Sequence, residues 1–127
     1  MANRVSSPNP GHFPKDTTMN LLILGAGNMA EALIKGLLRA GTIKAENIRG
    51  SDPRASRCQH LRDRYGIHMT THNLDVVHHA DIVVLSVKPQ VLVGVCDEVS
   101  AHLKPKALVV SVAAGVPLAV LEQHLPP

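Results

Sequence analysis

Gly25, Gly27 and Ala30 stand in a G-x-G-x-x-A spacing within "LGAGNMAEALIKG", directly after the apolar run "NLLIL". Glycine adopts turns closed to other residues, and its missing side chain lets a ligand come against the backbone. A strand that turns through two glycines into a helix therefore makes an anion site. The first-turn N–H groups lack partners, and the helix dipole adds positive potential. Gly25 permits the tight turn, Gly27 admits a pyrophosphate, and Ala30 keeps helix and strand close. The N–H groups of Asn28, Met29 and Ala30 would then point at the phosphates of a dinucleotide. The spacing alone is a weak signal, and its place between a strand and a helix gives it meaning. The plainer reading is a strand–turn–helix corner built from small residues.

A second stretch, "GSDPRASR", covers residues 50–57. In a dinucleotide-binding fold the end of the second strand reads the adenosine ribose. Asp52 would accept from both ribose hydroxyls, which favours NAD(H). Ser51, Arg54 and Arg57 would instead hold a 2′-phosphate, which favours NADP(H). The signals oppose each other, because a carboxylate repels a phosphate unless it turns away to cap the next helix. Pro53, suited to the first turn of that helix, supports the capping role and tips the reading slightly to NADP(H).

Hydrophobic periodicity supplies the elements that must position these residues. "NLLILGAG" reads as a strand. "NMAEALIKGLLRAG" reads as an amphipathic helix through Met29, Ala32, Leu33, Leu37 and Leu38, stopped by Gly41. "ENIRGSD" is a second strand, "PRASRCQHLRDRYG" a second helix, "IHMTT" a weak third strand and "NLDVVHHA" a short helix. "DIVVLSV" is a strand whose unbroken apolar run predicts burial on both faces, as in a parallel sheet. "PQVLVGVCDEVSAHL" is helical through Val91, Val95, Val99 and Leu103. "ALVVSVAAG" is a fifth strand and "VPLAVLEQHL" a last helix. Five alternations predict a Rossmann-type α/β fold, a doubly wound parallel sheet with helices on both faces. The chain stops where another strand would be due, which leaves an apolar edge on strand five open to self-association.

In such a sheet ligands bind outside the carboxyl ends of the strands, where strand order reverses. Val87-Lys88-Pro89 is the tip of strand four and should border the nicotinamide half of the cofactor. Pro89 cannot continue a ladder and so starts the next helix. Lys88 either projects into the cleft or is a solvated lysine at an ordinary corner. The small side chains of "SVAAG", residues 111–115, leave room for a flat ring.

Composition bounds the rest. The chain has 127 residues, a formal charge of +3 and 2% aromatics, with Phe13, Tyr65 and no Trp. Its core must be aliphatic, and it offers neither a basic stripe nor stacking platforms for nucleic acid. Cys58 and Cys96 have no ligand spacing and read as reduced, packed thiols. The eight histidines show no metal-binding spacing and read as solvated or capping residues. No run approaches the roughly 18 apolar residues of a spanning helix, and no signal peptide is present, so a cytoplasmic protein is expected. Residues 1–19, rich in Pro, Ser, Asn and Thr, read as a disordered lead-in, and residues 20–127 as the domain.

Three motifs in order, "LGAGNMAEALIKGL", "SVKPQ" and "VVSVAAGV", resemble those of pyrroline-5-carboxylate reductase, across residues 20–125. The resemblance implies a Rossmann domain that carries NAD(P)H, followed in the family by a helical domain that forms the dimer and supplies the substrate site. The implied reaction is the last step of proline synthesis, hydride transfer to the C=N carbon of pyrroline-5-carboxylate. Carried over by position, cofactor contacts fall on Gly25, Ala26, Gly27, Asn28, Met29, Ser51, Asp52, Arg54 and Asn73. They continue through Ser86, Val87, Lys88 and Pro89 to Val112, Ala113 and Ala114. The "DPR" of residues 52–54 departs from the family pattern. The helical domain has no counterpart in these residues, so no catalytic residue and no metal site is assigned. Two other readings stand beside this one. One is a related F420-dependent NADP reductase or β-hydroxyacid dehydrogenase, against which the Lys-Pro-Gln and Ala-Ala-Gly motifs argue. The other is a nucleotide-sensing module without catalysis.

Overall fold

The computed structural model describes residues 19–112. Most of the expected lead-in, the end of "SVAAG" with Ala113 and Ala114, and the expected last helix lie outside the described residues. The apolar runs form strands β1 (Leu21–Leu24), β2 (Ile48–Ser51), β3 (His68–Thr70), β4 (Ile82–Leu85) and β5 (Leu108–Ser111). Between them lie helices α1 (Asn28–Ala40), α2 (Ala55–Tyr65) and α3 (Pro89–Val99). The strands make one sheet in the order β3-β2-β1-β4-β5, and every pairing is parallel. This is the Rossmann-type arrangement the sequence predicts.

β1 sits at the centre and all of its residues are buried. Alternate side chains of a strand point to opposite faces. Leu21 and Ile23 accordingly pack with Ala30 and Ile34 of α1 and with Cys58 and Leu61 of α2. Leu22 and Leu24 pack on the other face with Val76 and Val77 and with Leu92, Cys96 and Val99 of α3. β4 divides in the same way, with Val84 in the first layer and Val83 and Leu85 in the second. The unbroken apolar runs are thus explained by two covered faces. Each fully buried Leu or Ile stabilises the fold by about 1.5–3 kcal/mol. Cys58 and Cys96 are free and buried in opposite layers.

Four local readings are corrected. In α1 the buried positions are Ala30 and Ile34, while Met29 is 61% exposed. In α3 the buried stripe is Leu92, Cys96 and Val99; Val99 was expected there, but Leu92 and Cys96 take the places expected for their neighbours Val91, which is exposed, and Val95. Both helices carry apolar residues on neighbouring stripes, so periodicity alone did not choose between them. "NLDVVHHA" forms two 3-10 turns, Asn73–Asp75 and Val77–His79, instead of an α-helix. Val76, which joins the two turns, has φ −126° and ψ −13°, outside the α-helical region, so the turns do not merge into one helix. Finally, α2 begins at Ala55 with Arg54 as its N-cap, so Pro53 precedes the helix.

The turn after β1 runs against the end of β4. Gly25 has φ +100°, and a Cβ there would stand 2.5 Å from the Ser86 carbonyl oxygen. At Gly27 a Cβ would meet nothing within 4 Å. Gly25→Ala is therefore expected to lose about 2 kcal/mol or more in urea unfolding, from left-handed strain and the backbone collision. Gly27→Ala, which changes only an N-cap, should lose no more than about 1 kcal/mol. Equal losses at the two positions would contradict this reading of the turn.

Candidate functional site

The β1–α1 loop is held from below by its own backbone and by two charged side chains. Gly25 N–H donates to Ser51 O at 2.8 Å, which extends the β1–β2 ladder by one residue. Ala26 N–H donates to Asp52 Oδ2 at 2.7 Å, and Ala26 O accepts from Arg57 Nε at 2.6 Å. Gly27 O accepts the first helical bond, from Glu31 N at 3.0 Å. The N–H groups of Asn28, Met29 and Ala30 in the first turn of α1 have no carbonyl partner within the helix. Asn28 and Met29 are exposed, and the space beside Gly27 is open. A helix N-terminus with free N–H groups, an open glycine and a macrodipole fits a pyrophosphate.

At the tip of β2 the Asp52 carboxylate is buried, with 3% of the residue exposed. It accepts from Ala26 N–H, and from the backbone N–H, Nε and a terminal nitrogen of Arg54 at 2.8–2.9 Å. Those donors fill the roughly four acceptor sites of a carboxylate. Burial pushes the Asp52 carboxyl up, but the hydrogen bonds from Arg54 and Ala26 and the guanidinium charge outweigh it and hold it below its ordinary value. The same contact raises Arg54. Arg54 keeps its remaining N–H groups on a side chain that is 56% exposed. Buried Ser51 donates through its hydroxyl to Asn73 Oδ1, and Asn73 Nδ2 donates to Glu98 of α3 at 2.6 Å.

These strand ends border a cleft of about 640 Å³, a volume typical of small-molecule sites. It is lined by the tips of β1, β2 and β4, by residues 71–75 after β3 and by α3, and β1 and β4 flank the point where strand order reverses. Val87, Val91 and Val95 form an apolar wall, and Ser51, Asn73 and Glu98 stand among its polar groups. Of the residues expected at a site, Gly25, Ser51, Asn73 and Val87 line this cleft. Ser86 lies against Gly25 and donates its N–H to Leu24 O at 2.8 Å. Val112 extends β5 by donating to Leu85 O at 3.0 Å. Pro89 opens α3, and Lys88, its N-cap, is exposed and outside the cleft lining. Sequence reasoning missed Val91, Val95 and Glu98. The valines had been assigned to the buried stripe of α3, and no motif marks the glutamate.

Residues 20–115 match the model of the family described as NADP oxidoreductase, coenzyme F420-dependent. The chain belongs to this family. A curated relative, the pyrroline-5-carboxylate reductase of Pseudomonas aeruginosa, is 45% identical over 109 residues, covering 86% of this chain and 40% of the relative. A solved pyrroline-5-carboxylate reductase from Coxiella burnetii superposes with a TM-score of 0.80 at 33% identity, over 86% of this chain and 40% of that one. The Plasmodium falciparum pyrroline carboxylate reductase, solved with NADP bound, superposes with a TM-score of 0.72 at 26% identity, over 84% of this chain and 38% of that one. The chain spans about two fifths of the length of the curated relatives it matches. The family description supports a nicotinamide dinucleotide as the cofactor. No helix among the described residues is long and apolar enough to cross a membrane.

Outside the cleft, Glu31 in the first turn of α1 collects three donors. Arg57 reaches Oε1 at 3.0 Å, while the Tyr65 hydroxyl and His60 Nε2 meet Oε2 at 2.7 and 3.0 Å. Hydrogen bonds from Tyr65, His60 and Arg57 lower its carboxyl from the ordinary 4.5 to about 2. A carboxyl whose pKa falls on folding stabilises in full above its unfolded value, and that stability is lost as pH falls through the folded one. Glu31→Gln is therefore expected to be less stable than the unmodified chain at neutral pH, with the gap closing as pH falls from 4.5 through about 2. Urea melts across that range would read it, and a gap independent of pH would contradict it.

Proposed function

We propose that this chain is the NADP(H)-binding part of a pyrroline-5-carboxylate reductase, the enzyme that reduces pyrroline-5-carboxylate to proline. The observation that carries the reading is the unpartnered first turn of α1 beside the open Gly27, two residues after Gly25, which lines the cleft. The names of its relatives support the substrate. When bound, the cofactor supplies the hydride. The residues of this chain bind and orient it. Gly25, Ala26, Gly27, Asn28 and Met29 form the pyrophosphate cradle. Ser51 and Asn73 shape the ribose end, and Ser86 to Pro89 with Val112 border the nicotinamide.

The preference for NADP(H) rests on a count of donors and acceptors. A ribose reader needs free acceptor sites, and those of Asp52 are spent on Ala26 and Arg54. A guanidinium has five N–H donors. Arg54 directs two of them at Asp52 and keeps the others for a 2′-phosphate. The NADP in the Plasmodium falciparum structure agrees with this choice. Arg57, the other arginine considered for that phosphate, also spends two donors, on Ala26 and Glu31, but its side chain is 22% exposed against 56% for Arg54, which favours Arg54.

Calorimetric titration of residues 1–127 with NADPH and NADH tests the reading. Gly27→Val should weaken both cofactors tenfold or more, about 1.4 kcal/mol. Arg54→Ala should weaken NADPH alone, by roughly 1.5–3 kcal/mol for a lost charged hydrogen bond. Unchanged affinity in a folded Gly27→Val variant would remove the cradle, and a preference for NADH would return Asp52 to the ribose. The polypeptide of residues 1–127 should bind without turnover, because the imine must be held roughly 3–3.5 Å from the hydride donor and no described residue is assigned that grip. Oxidation of NADPH by pyrroline-5-carboxylate at about 1 per second or faster would place the substrate site within these residues.

A further inference from the structure

We propose that Arg57 is a positioning residue for the cofactor loop, aiming the Gly27 N–H at the pyrophosphate from the far side of the backbone. This rests on the dinucleotide reading above and adds the device that orients the cradle.

A peptide unit is a rigid plane, and in its trans form the C=O of one residue and the N–H of the next point in opposite directions. No cis bond occurs among the described residues. The Ala26 C=O and the Gly27 N–H belong to one such plane. Arg57 Nε holds that C=O at 2.6 Å, which turns the Gly27 N–H away from α2. Gly27 N–H has no partner among the described residues, and it stands where α1 begins. The preceding plane is fixed as well, since Ala26 N–H is on Asp52 Oδ2 at 2.7 Å. Two consecutive planes of the loop are therefore held by charged groups, whose hydrogen bonds are roughly twice as strong as neutral ones. Ala26 itself is 1% exposed, so water does not compete for either bond.

Arg57 is in turn held in place. Its terminal nitrogen donates to Glu31 Oε1 at 3.0 Å, and the other oxygen of Glu31 is occupied by Tyr65 and His60. The Arg57 and Glu31 side chains are 22% and 21% exposed, which screens the pair less than a fully solvated one. Glu31 lies on α1 and Arg57 on α2. The chain of contacts thus ties the loop, the helix it opens and the neighbouring helix into one unit. Arg57 spends its Nε on Ala26 O and a terminal nitrogen on Glu31, so its route to the cofactor runs through the Ala26 peptide.

The test compares Arg57→Ala, Arg57→Lys and Glu31→Gln with the unmodified chain. Each is titrated with NADPH and with NADH, and the ¹H–¹⁵N amide signals of residues 25–29 are recorded without cofactor. Arg57→Ala should weaken both cofactors by the same factor, about tenfold, the worth of one good hydrogen bond. Its Ala26 and Gly27 amides should shift and exchange faster, while those of Leu22 and Val84 in the sheet stay put. Arg57→Lys, which cannot reach Ala26 and Glu31 together, should recover part of the affinity, and Glu31→Gln should lose part of it. A loss confined to NADPH would overturn the proposal and make Arg57 a direct phosphate ligand. Unmoved loop amides with unchanged affinities would overturn it too. If the unmodified chain binds neither cofactor, the functional reading falls with it, while the amide signals still decide whether Arg57 sets the loop.

Discussion

The hydrogen bond from Ala26 N–H to the buried carboxylate of Asp52 joins the two halves of the candidate site. A carboxylate is costly to bury unless its acceptor sites are filled. Here Arg54 fills them from two residues away and Ala26 from the β1–α1 loop. The backbone bond from Arg54 N–H closes a local turn at the tip of β2, and α2 starts directly after it. One side chain therefore sets where α2 begins, fixes the loop that opens α1 and neutralises its own charge. The Asp52 backbone adds to this, donating to Thr70 O at 3.1 Å and so tying β2 to the end of β3.

The sheet makes that junction possible. β1 is central, and its parallel pairing with β2 on one side and β4 on the other brings Leu24 level with Ser51 and Leu85. The strand tips then diverge, because the connections from β1 and β4 go to helices on opposite faces. Gly25 fills the narrowest point, where β1 passes the Ser86 backbone and any side chain would collide. The cleft is what remains between the diverging tips, walled by α3 on its apolar side. The polar wall is tied to α3 through Asn73 and Glu98. Cradle, cleft and ribose end are thus consequences of one register.

Much of this was legible in the sequence, for physical reasons. Period-two burial on both faces leaves an apolar run, and a glycine-rich turn between such a run and an amphipathic helix has few other uses. Those signals placed β1, α1, β4 and the glycine loop. Side-chain direction was not legible. Val91 and Leu92 are both apolar and adjacent, and only packing against Leu22 and Leu24 decides that Leu92 goes inward and Val91 faces the cleft. The sequence reads Asp52 as a ribose reader or as the cap of α2, and Arg57 as a phosphate ligand; instead Arg54 is the N-cap of α2, and both side chains reach Ala26, far away in the chain. Local pattern holds no trace of such pairings. The link from Asn73 to Glu98 is hidden in the same way.

Membership of the oxidoreductase family and the likeness to pyrroline-5-carboxylate reductases agree with the proposed phosphate cradle and ribose end. What sets this chain's chemistry is the use of the acidic residue at the tip of β2 inside the protein, leaving its arginine neighbour outside. A crystal structure of the chain with NADPH bound tests this most directly. It should show Asp52 Oδ2 still at hydrogen-bond distance from Ala26 N–H, with the 2′-phosphate on Arg54. Asp52 swung out onto the ribose hydroxyls, with Ala26 N–H released, would contradict it.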